Sequence, residues 1–108
     1  MAISVITSGN SKHASRLNQL VLRFGPDASK DLRMIIGDRL IIGIDKITKE
    51  VCFKRTTGNN GYKLTGKSGK SLTVQASMDL KVMSVQTIDI SSIKIESTHI
   101  AIRCPALF

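Results

Sequence analysis

Aromatic side chains are scarce in this chain of 108 residues: they make up 4% of it, and tryptophan is absent. A hydrophobic core must therefore consist of aliphatic side chains. Isoleucine is the most conspicuous of these, and because β-branched side chains fit a pleated, half-buried surface better than a helix, the composition favours β-sheet. The length predicts one domain with little room for a substrate site between subdomains, so we expect neither an enzyme nor a small-molecule substrate.

Cysteine and long apolar runs are also lacking. The two cysteines, Cys52 and Cys104, have no further cysteine nearby and no metal-ligand spacing to His13 or His99. We therefore expect no disulfide framework, no metal site and no other cofactor, and both cysteines are predicted to be small buried hydrophobic residues. No apolar run approaches the roughly 18 residues of a membrane helix, and the N-terminus lacks the features of a signal peptide, which predicts a cytoplasmic protein without membrane contact.

Carboxylates are absent between Glu50 and Asp79, a stretch that carries five cations. The formal net charge of the chain is +8, so much of the excess is concentrated there. A localised positive field attracts a polyanion through counterion release, which makes nucleic acid the first partner to consider. The competing interpretation is a solvated face that only confers solubility. A net charge this large on so small a chain favours a functional basic surface.

Hydrophobic alternation and turn signals predict a series of short strands. Gly25-Pro26 ends the first strand and begins a short helix over residues 27–34, whereas the polar residues 8–16 are expected to form a loop or arm. Regular strand spacing predicts a barrel or a sandwich. The predicted strands cover residues 17–24, 39–45, 49–55, 62–66, 71–76 and 80–85, followed by three short strands within 88–90, 93–95 and 99–104.

Residues 61–68, GYKLTGKS, match the phosphate-binding pattern GxxxxGK[ST]. A nucleotide-binding loop of this kind must follow a buried parallel strand and open a helix whose N-terminus faces the phosphates. A β-favouring run follows Ser68 instead, and no acidic partner strand comes after it. The segment is therefore predicted to be a glycine-rich hairpin tip whose Lys63, Lys67 and Lys70 can approach phosphates closely.

Tyr62 is the one aromatic residue beside these lysines. It could stack on a base, but a half-buried tyrosine in the sheet is the favoured interpretation. His13 and His99 occur in no arrangement typical of a catalytic triad or dyad, so neither is expected to be catalytic. A contact between His99 and Cys104 across a hairpin is the one conceivable pairing.

Residues 17–55 contain a strand that ends at a proline, a short helix, a Gly-Asp pair, an apolar strand, an Asp-containing turn and a second apolar strand that ends in basic residues. In letters these are LNQLVLRFGP, DASKDLRMII, GDRLIIGID and KITKEVCFKR. The pattern resembles the swapped-hairpin DNA-binding domain of the AbrB and MazE group, which includes transition-state regulators and antitoxins. The residues that carry the resemblance are Leu32, Gly37, Asp38, Leu40, Ile42 and Asp45.

This resemblance implies an intertwined homodimer that exchanges hairpins between chains and needs no cofactor. It also implies that arginines near the first strand and the helix contact DNA, with Arg16, Arg23 and Arg33 as the candidates. Residues 62–108 are then a β-rich C-terminal extension of the same domain.

Together these observations predict a mainly β protein of one domain, a small barrel or a swapped-hairpin β domain with one short helix and a β-rich C-terminal extension. We expect it to bind nucleic acid, DNA in particular, as a non-enzymatic dimeric regulator. The alternative is a protein-interaction, inhibitory or assembly module of phage or mobile-element type that docks an acidic partner, because charge alone does not separate the two. The candidate nucleic-acid-binding residues are Lys12, Arg16, Arg23, Arg33, Lys54, Arg55, Lys63, Lys67 and Lys70.

Overall fold

The structure, a computed structural model, describes residues 2–8, 18–67, 69–78 and 86–108. Within these ranges the protein is mainly β with one short helix, as the sequence predicts, and its strands form two five-stranded antiparallel sheets. The strands of the first sheet are, in spatial order, β6 (Thr65–Gly66), β7 (Leu72–Met78), β2 (Asn18–Phe24), β1 (Ile3–Ser8) and β8 (Gln86–Ile88). Those of the second sheet are β5 (Tyr62–Lys63), β3 (Arg39–Asp45), β4 (Glu50–Thr56), β10 (Ile100–Arg103) and β9 (Ser92–Ile95).

One apolar layer joins the two sheets. Along β2, Leu20, Leu22 and Phe24 are buried because alternate residues of a strand point to the same side of the sheet. The ring of Phe24 meets that of Phe53 on the second sheet, with 5.3 Å between the ring centroids and an edge-to-face arrangement. The sheets do not close into a barrel, so of the two architectures that strand spacing predicts, the protein has the layered one.

The C-terminal half supplies strands to both sheets rather than forming a unit of its own. In the first sheet β7 pairs with β2 along its whole length. In the second sheet β10 pairs with β4 from Ile100 opposite Phe53 to Arg103 opposite Glu50. The segment 17–55 is therefore covered by strands from residues 62–108, and the two parts share one core.

Helix α1 (Pro26–Asp31) is shorter than the predicted helix over 27–34. Pro26 occupies its first turn, where a missing N–H costs no hydrogen bond, and Asp27 stands at the positive end of the helix. The helix stops because Arg33 adopts a positive φ of 54°, which a right-handed helix does not accommodate. Ser29 Oγ donates a hydrogen bond to the carbonyl oxygen of Phe24 at 3.3 Å and ties the helix to β2.

Three segments differ from the sequence-based prediction. Strand β8 covers Gln86–Ile88 and shares only Ile88 with the strand predicted within 88–90, because residues 86–88 pair with Val5 to Thr7 of β1. Strand β1 was not predicted, although the burial of Ile3, Val5 and Thr7 has the period of two that marks a strand. The predicted strand over 62–66 is broken at Leu64, which is fully buried, so that β5 belongs to the second sheet and β6 to the first. The prediction of a continuous strand is therefore wrong, because this residue passes through the core.

Two further expectations cannot be compared with the structure. The strand predicted over residues 80–85 lies outside the described residues. Residues 9–16 of the predicted loop 8–16 also lie outside the described residues, and Ser8 is the last residue of β1.

The β3–β4 hairpin, which carries most of the resemblance to swapped-hairpin domains, is paired on both sides by strands of the same chain. β10 lies beside β4, and β5 lies beside β3. β5 pairs only with Arg39 and Leu40. Within the described ranges, the outer edge of β3 from Ile41 to Asp45 consequently has no neighbouring strand.

We predict that Gly61→Ala lowers the free energy of unfolding by about 1–3 kcal/mol. Gly61 has a φ of +93°, and a Cβ at this position would lie 2.7 Å from the carbonyl oxygen of Leu40. Gly43 is the matched control, because a Cβ there meets no heavy atom within 4 Å. Gly43→Ala should change stability by no more than about 0.5 kcal/mol in the same urea titration. Equal stability of the two variants would contradict the turn geometry.

Candidate nucleic-acid interface

The structure separates the lysines that the sequence placed on one hairpin tip. Lys63 lies on β5 in the second sheet, whereas Lys67 and Lys70 flank the turn between β6 and β7 in the first. The tip predicted from residues 61–68 therefore does not exist as a single feature. The reason is the buried Leu64, which carries the chain from one sheet to the other.

Cations collect on the outer face of the second sheet. Arg39 and Lys63 stand directly opposite each other on β3 and β5, a position in which Cβ atoms are about 4.5–5.5 Å apart. Lys54 lies on β4, diagonal to Arg39 on the same face, and Lys94 lies on β9 two strands away. Continuing the β4–β10 register by one pair places His99 opposite Lys54. We call these four cations, together with His99, the cationic face.

Arg39 and Lys94 were missed by the sequence-based prediction. The period of two along β3 places Arg39 on the same face as Ile41 and Gly43, and that signal was available. The identity of the neighbouring strand was not, because the pairing of β3 with β5 joins residues that local patterns do not relate. The concentration of charge on this face is thus a product of the topology.

The carboxylates of this sheet stand at the margins of the cationic face. Asp45 and Glu50 lie opposite each other at the far end of β3 and β4, where Glu50 also faces Arg103 on β10. Asp45 is occupied by its own turn: it accepts hydrogen bonds from the backbone N–H groups of Thr48 and Ile47, which lower the pKa of its carboxyl group. Glu96 stands at the tip of the β9–β10 hairpin, directly opposite His99 when the β9–β10 register is continued by one pair, and its N–H donates to the carbonyl oxygen of His99.

A shallow depression of about 290 Å³ lies within the cationic face. Gly43 leaves its floor without a side chain, and Ile41 and Cys52 stand beside it. Lys54 and His99 form part of its rim. The hydroxyl oxygen of Thr98 lies 3.0 Å from Nδ1 of His99, which fixes the orientation of the imidazole ring.

Arg55, a candidate from the sequence, serves the fold instead. Its Nη2 donates to the carbonyl oxygen of Leu32 at 2.5 Å, and its Nη1 lies 3.7 Å from Oδ2 of Asp38. The same carboxylate accepts a hydrogen bond from the N–H of Ile35 at 3.0 Å. Arg55 therefore holds the connection between α1 and β3 in place, and we do not include it in the interface.

A second group of cations surrounds a groove beside α1. The groove has a volume of about 700 Å³ and lies between the helix and the β6–β7 turn, with Lys30, Arg33 and Lys70 along it. Ile35 and Ile36 also line it and are 65% and 43% exposed. We call this feature the helix groove. It brings together Arg33 and Lys70, which are far apart in sequence.

Residues 61–67, the described part of the string GYKLTGKS, form no nucleotide-binding loop. Tyr62–Lys63 and Thr65–Gly66 are short strands of two different sheets, and β7 begins at Leu72 without an intervening helix. Gly66 has a φ of +143°, and a Cβ there would approach the carbonyl oxygen of Ser71 to 2.7 Å. Gly66 thus has a steric role in the turn, and among the described residues between β6 and β7 no helix begins whose N-terminus could face a phosphate.

Arg23, a further candidate from the sequence, lies away from the cationic face. Arg23 is exposed on the outer face of the first sheet, between Ser4 and Thr73. The two sheets enclose the core, so Arg23 and the cationic face point to opposite sides of the protein. Lys12 and Arg16 lie outside the described residues.

The tyrosine and cysteine predictions hold in part. Tyr62 is half-buried, as predicted, and its hydroxyl group donates to the carbonyl oxygen of Ser77 at 3.5 Å. Cys104 is buried, but Cys52 is only partly buried because it faces outward on β4. His99 lies near Cys52 rather than Cys104, so the pairing considered from the sequence is wrong.

No model of a known protein family, no curated protein sequence and no solved structure matches this chain. The resemblance of residues 17–55 to the AbrB and MazE group stays a prediction. Among the described residues, no helix is long and apolar enough to cross a membrane. The same part of the chain contains no group of three or more His, Cys, Asp or Glu residues that could hold a metal ion.

We predict that iodoacetamide alkylates Cys52 of the folded protein and leaves Cys104 intact. Burial raises the pKa of Cys104 to about 11 and excludes the reagent. Burial, together with the charges of Glu50 and Asp45, also raises the pKa of Cys52, so its alkylation should be slow at neutral pH and faster at pH 9. Mass spectrometry should show one modification per chain, and none in Cys52→Ser. Modification of Cys104 at a similar rate without denaturant would contradict the burial.

Proposed function

We propose that this protein binds nucleic acid by holding phosphates on the cationic face and does not act on it as an enzyme. The observation that carries the proposal is the direct opposition of Arg39 and Lys63 on adjacent strands. Like charges in this position destabilise a sheet. A ligand with negative charge on the same face offsets this repulsion, so the arrangement is favourable when a polyanion is bound.

The spread of the charges favours a polymer over a small anion. The cationic face runs from Lys63 on β5 to Lys94 on β9, across all five strands of the second sheet. With neighbouring strands about 4.8 Å apart, this corresponds to a width of about 19 Å. A nucleic acid backbone that crosses the sheet would meet the cations with several phosphates, which releases several counterions.

Phosphate contacts position a nucleic acid without reading its sequence, and they suit both DNA and RNA. We keep a cytoplasmic DNA-binding regulator as the specific form of this proposal. That form is supported by the resemblance of residues 17–55 alone. Arg23 and Arg33, which the resemblance implies as DNA contacts, lie outside the cationic face, so the proposed contact surface differs from the one that the resemblance implies.

We expect the triple variant Arg39→Gln, Lys54→Gln, Lys63→Gln to bind duplex DNA more weakly at low salt. The slope of log K against log salt should fall by about 2–3, because each lost phosphate contact removes about 0.9 from the slope. Fluorescence anisotropy titrations at salt concentrations between about 50 and 200 mM measure this slope. The control with the same change in charge is Lys30→Gln, Lys67→Gln, Lys70→Gln, which should keep the wild-type slope.

Each departure from this result has a defined meaning. A slope that falls only in the control places the phosphates at the helix groove and overturns the cationic face as the interface. Equal wild-type slopes in both variants would exclude phosphate binding by either surface. Circular dichroism of both variants should match the wild type, because none of these side chains is buried. Arg39→Gln also removes one exposed hydrogen bond, from Nη1 to the carbonyl oxygen of Gly61, but the backbone pairing of β3 with β5 remains.

The helix groove supports the alternative, a protein-interaction module. Ile35 and Ile36 expose apolar surface beside Lys30, Arg33 and Lys70. An acidic polypeptide with apolar side chains is complementary to such a surface. The same titration with polyglutamate in place of DNA separates the two functions. Binding of polyglutamate that exceeds DNA binding and disappears in the control variant would favour the alternative.

Dimerisation is a further part of the proposal. The open edge of β3 from Ile41 to Asp45 is apolar at several positions, and antiparallel pairing with a second copy would cover it. This arrangement needs no exchange of hairpins, since the hairpin is already paired within its own chain.

We predict that the wild type sediments as a dimer at low micromolar concentration and that Ile44→Lys shifts it to a folded monomer. Ile44 faces the core side of the β3 edge, where an inward-pointing charge opposes strand addition. Ile47→Lys is the control, since Ile47 is 93% exposed in the β3–β4 turn. A wild type that is monomeric in sedimentation equilibrium, with a melting temperature independent of concentration, would rule out the dimer.

A further inference from the structure

We infer that the depression on the cationic face seats an unpaired nucleobase, so that the protein prefers single-stranded nucleic acid to duplex. The inference rests on the proposed function, since the cationic face would hold the phosphates on either side of the base. It starts from Gly43, which stands in the middle of β3. A glycine in a strand interior weakens the strand and often marks a place where a ligand approaches closely.

The fold itself gives no reason for a glycine at this position. Gly43 is not among the glycines with positive φ, and a Cβ added to it meets no heavy atom within 4 Å. Gly61 and Gly66 differ, because both have positive φ and a Cβ on either would collide with backbone at 2.7 Å. A β-branched residue at position 43 would suit the strand better. A ligand that lies directly over the backbone of Gly43 explains why this position has no side chain.

The depression has a volume and a lining that suit one base. Its volume of about 290 Å³ is at the lower limit of cavities that bind small molecules, about 300 Å³. Ile41 offers an apolar contact at one side and the imidazole ring of His99 offers a π surface at the other. Histidine is one of the side chains on which unstacked bases lie, and the contact of His99 with Thr98 orients the ring beforehand.

The surrounding charges allow a strand to cross the depression. Arg39 lies four residues from Gly43 on the same strand, with Lys63 opposite it on β5. Lys94 lies on β9, three strands from Gly43 in the same row of paired residues. Lys54 stands at the rim itself. A nucleic acid backbone bound by these cations can place a base over Gly43 only if that base is unpaired. In a duplex the bases are stacked inside, and only their edges are accessible from the grooves.

The test is Gly43→Val, which fills the depression without removing a charge. With a fluorescent oligothymidylate of about 12 nucleotides, a length within the site sizes of single-strand binders, the affinity should fall about tenfold, as expected for one lost stacking contact. Affinity for a duplex of the same length should stay at the wild-type value. The slope of log K against log salt should also stay unchanged, because the phosphate contacts remain. Thermal unfolding should show equal or higher stability, because a Cβ at position 43 meets no neighbour.

Two controls separate the effect of the base from that of added bulk. Ser92→Val adds the same side chain to the outer face of the second sheet at its far end, opposite Arg103, and should leave single-strand affinity unchanged. An abasic oligonucleotide of the same length should bind wild type and Gly43→Val equally. His99→Ala should weaken oligothymidylate binding, and His99→Phe should restore it, because a phenyl ring supplies the same stacking surface.

The outcomes distinguish this inference from the proposed function. One outcome is that Gly43→Val binds oligothymidylate as tightly as the wild type, while removal of Lys54 and Lys63 weakens binding in both backgrounds. That result would refute the base site and leave the phosphate-binding surface in place. If the wild type binds abasic and normal strands equally, the base site is likewise refuted. If the wild type binds neither single strand nor duplex, the proposed function fails and the base site fails with it.

Discussion

The structure depends on burying one face of each sheet against the other with almost no aromatic side chains. Phe24 and Phe53 make a ring contact between the sheets, and mostly branched aliphatic residues fill the rest of the described layer. Such a core forms only if the strands keep a strict alternation over their buried lengths. Leu64 shows how strong this constraint is, because the chain breaks a strand to place it in the core. That break also decides which face each neighbouring lysine occupies.

The inner face of each sheet is buried in the core, and the two outer faces carry different side chains. The outer face of the first sheet carries hydroxyl and amide side chains such as Thr65, Thr73 and Gln75, with Arg23 as its charged member in the described strands. The outer face of the second sheet carries the opposed Arg39 and Lys63. The cations of the helix groove, Lys30, Arg33 and Lys70, form a second positive region beside α1, so the described residues concentrate positive charge at two places. A positive field of this kind orients an approaching polyanion before contact.

The glycines show why backbone geometry is needed to interpret them. Gly61 and Gly66 belong to the string that matches a phosphate-binding loop, yet both are explained by positive φ and by close backbone neighbours. Gly43 belongs to no motif and has neither explanation. The glycines that attract attention in the sequence therefore serve the turns, and the one that points to a ligand is inconspicuous.

The sequence by itself determined the features that depend on near neighbours. Alternation located β3 and β4 to within a residue or two, Gly25-Pro26 located the start of α1, and the β-favouring run after Ser68 excluded a nucleotide-binding loop. The tertiary structure alone decided which cations share a surface, because that depends on pairings such as β3 with β5. It also decided that Arg55 is used by the fold, through contacts with Leu32 and Asp38. Local periodicity predicts which face of its own strand a side chain occupies. Which other strands lie beside that strand depends on how the whole chain packs its core, and local periodicity does not contain this information.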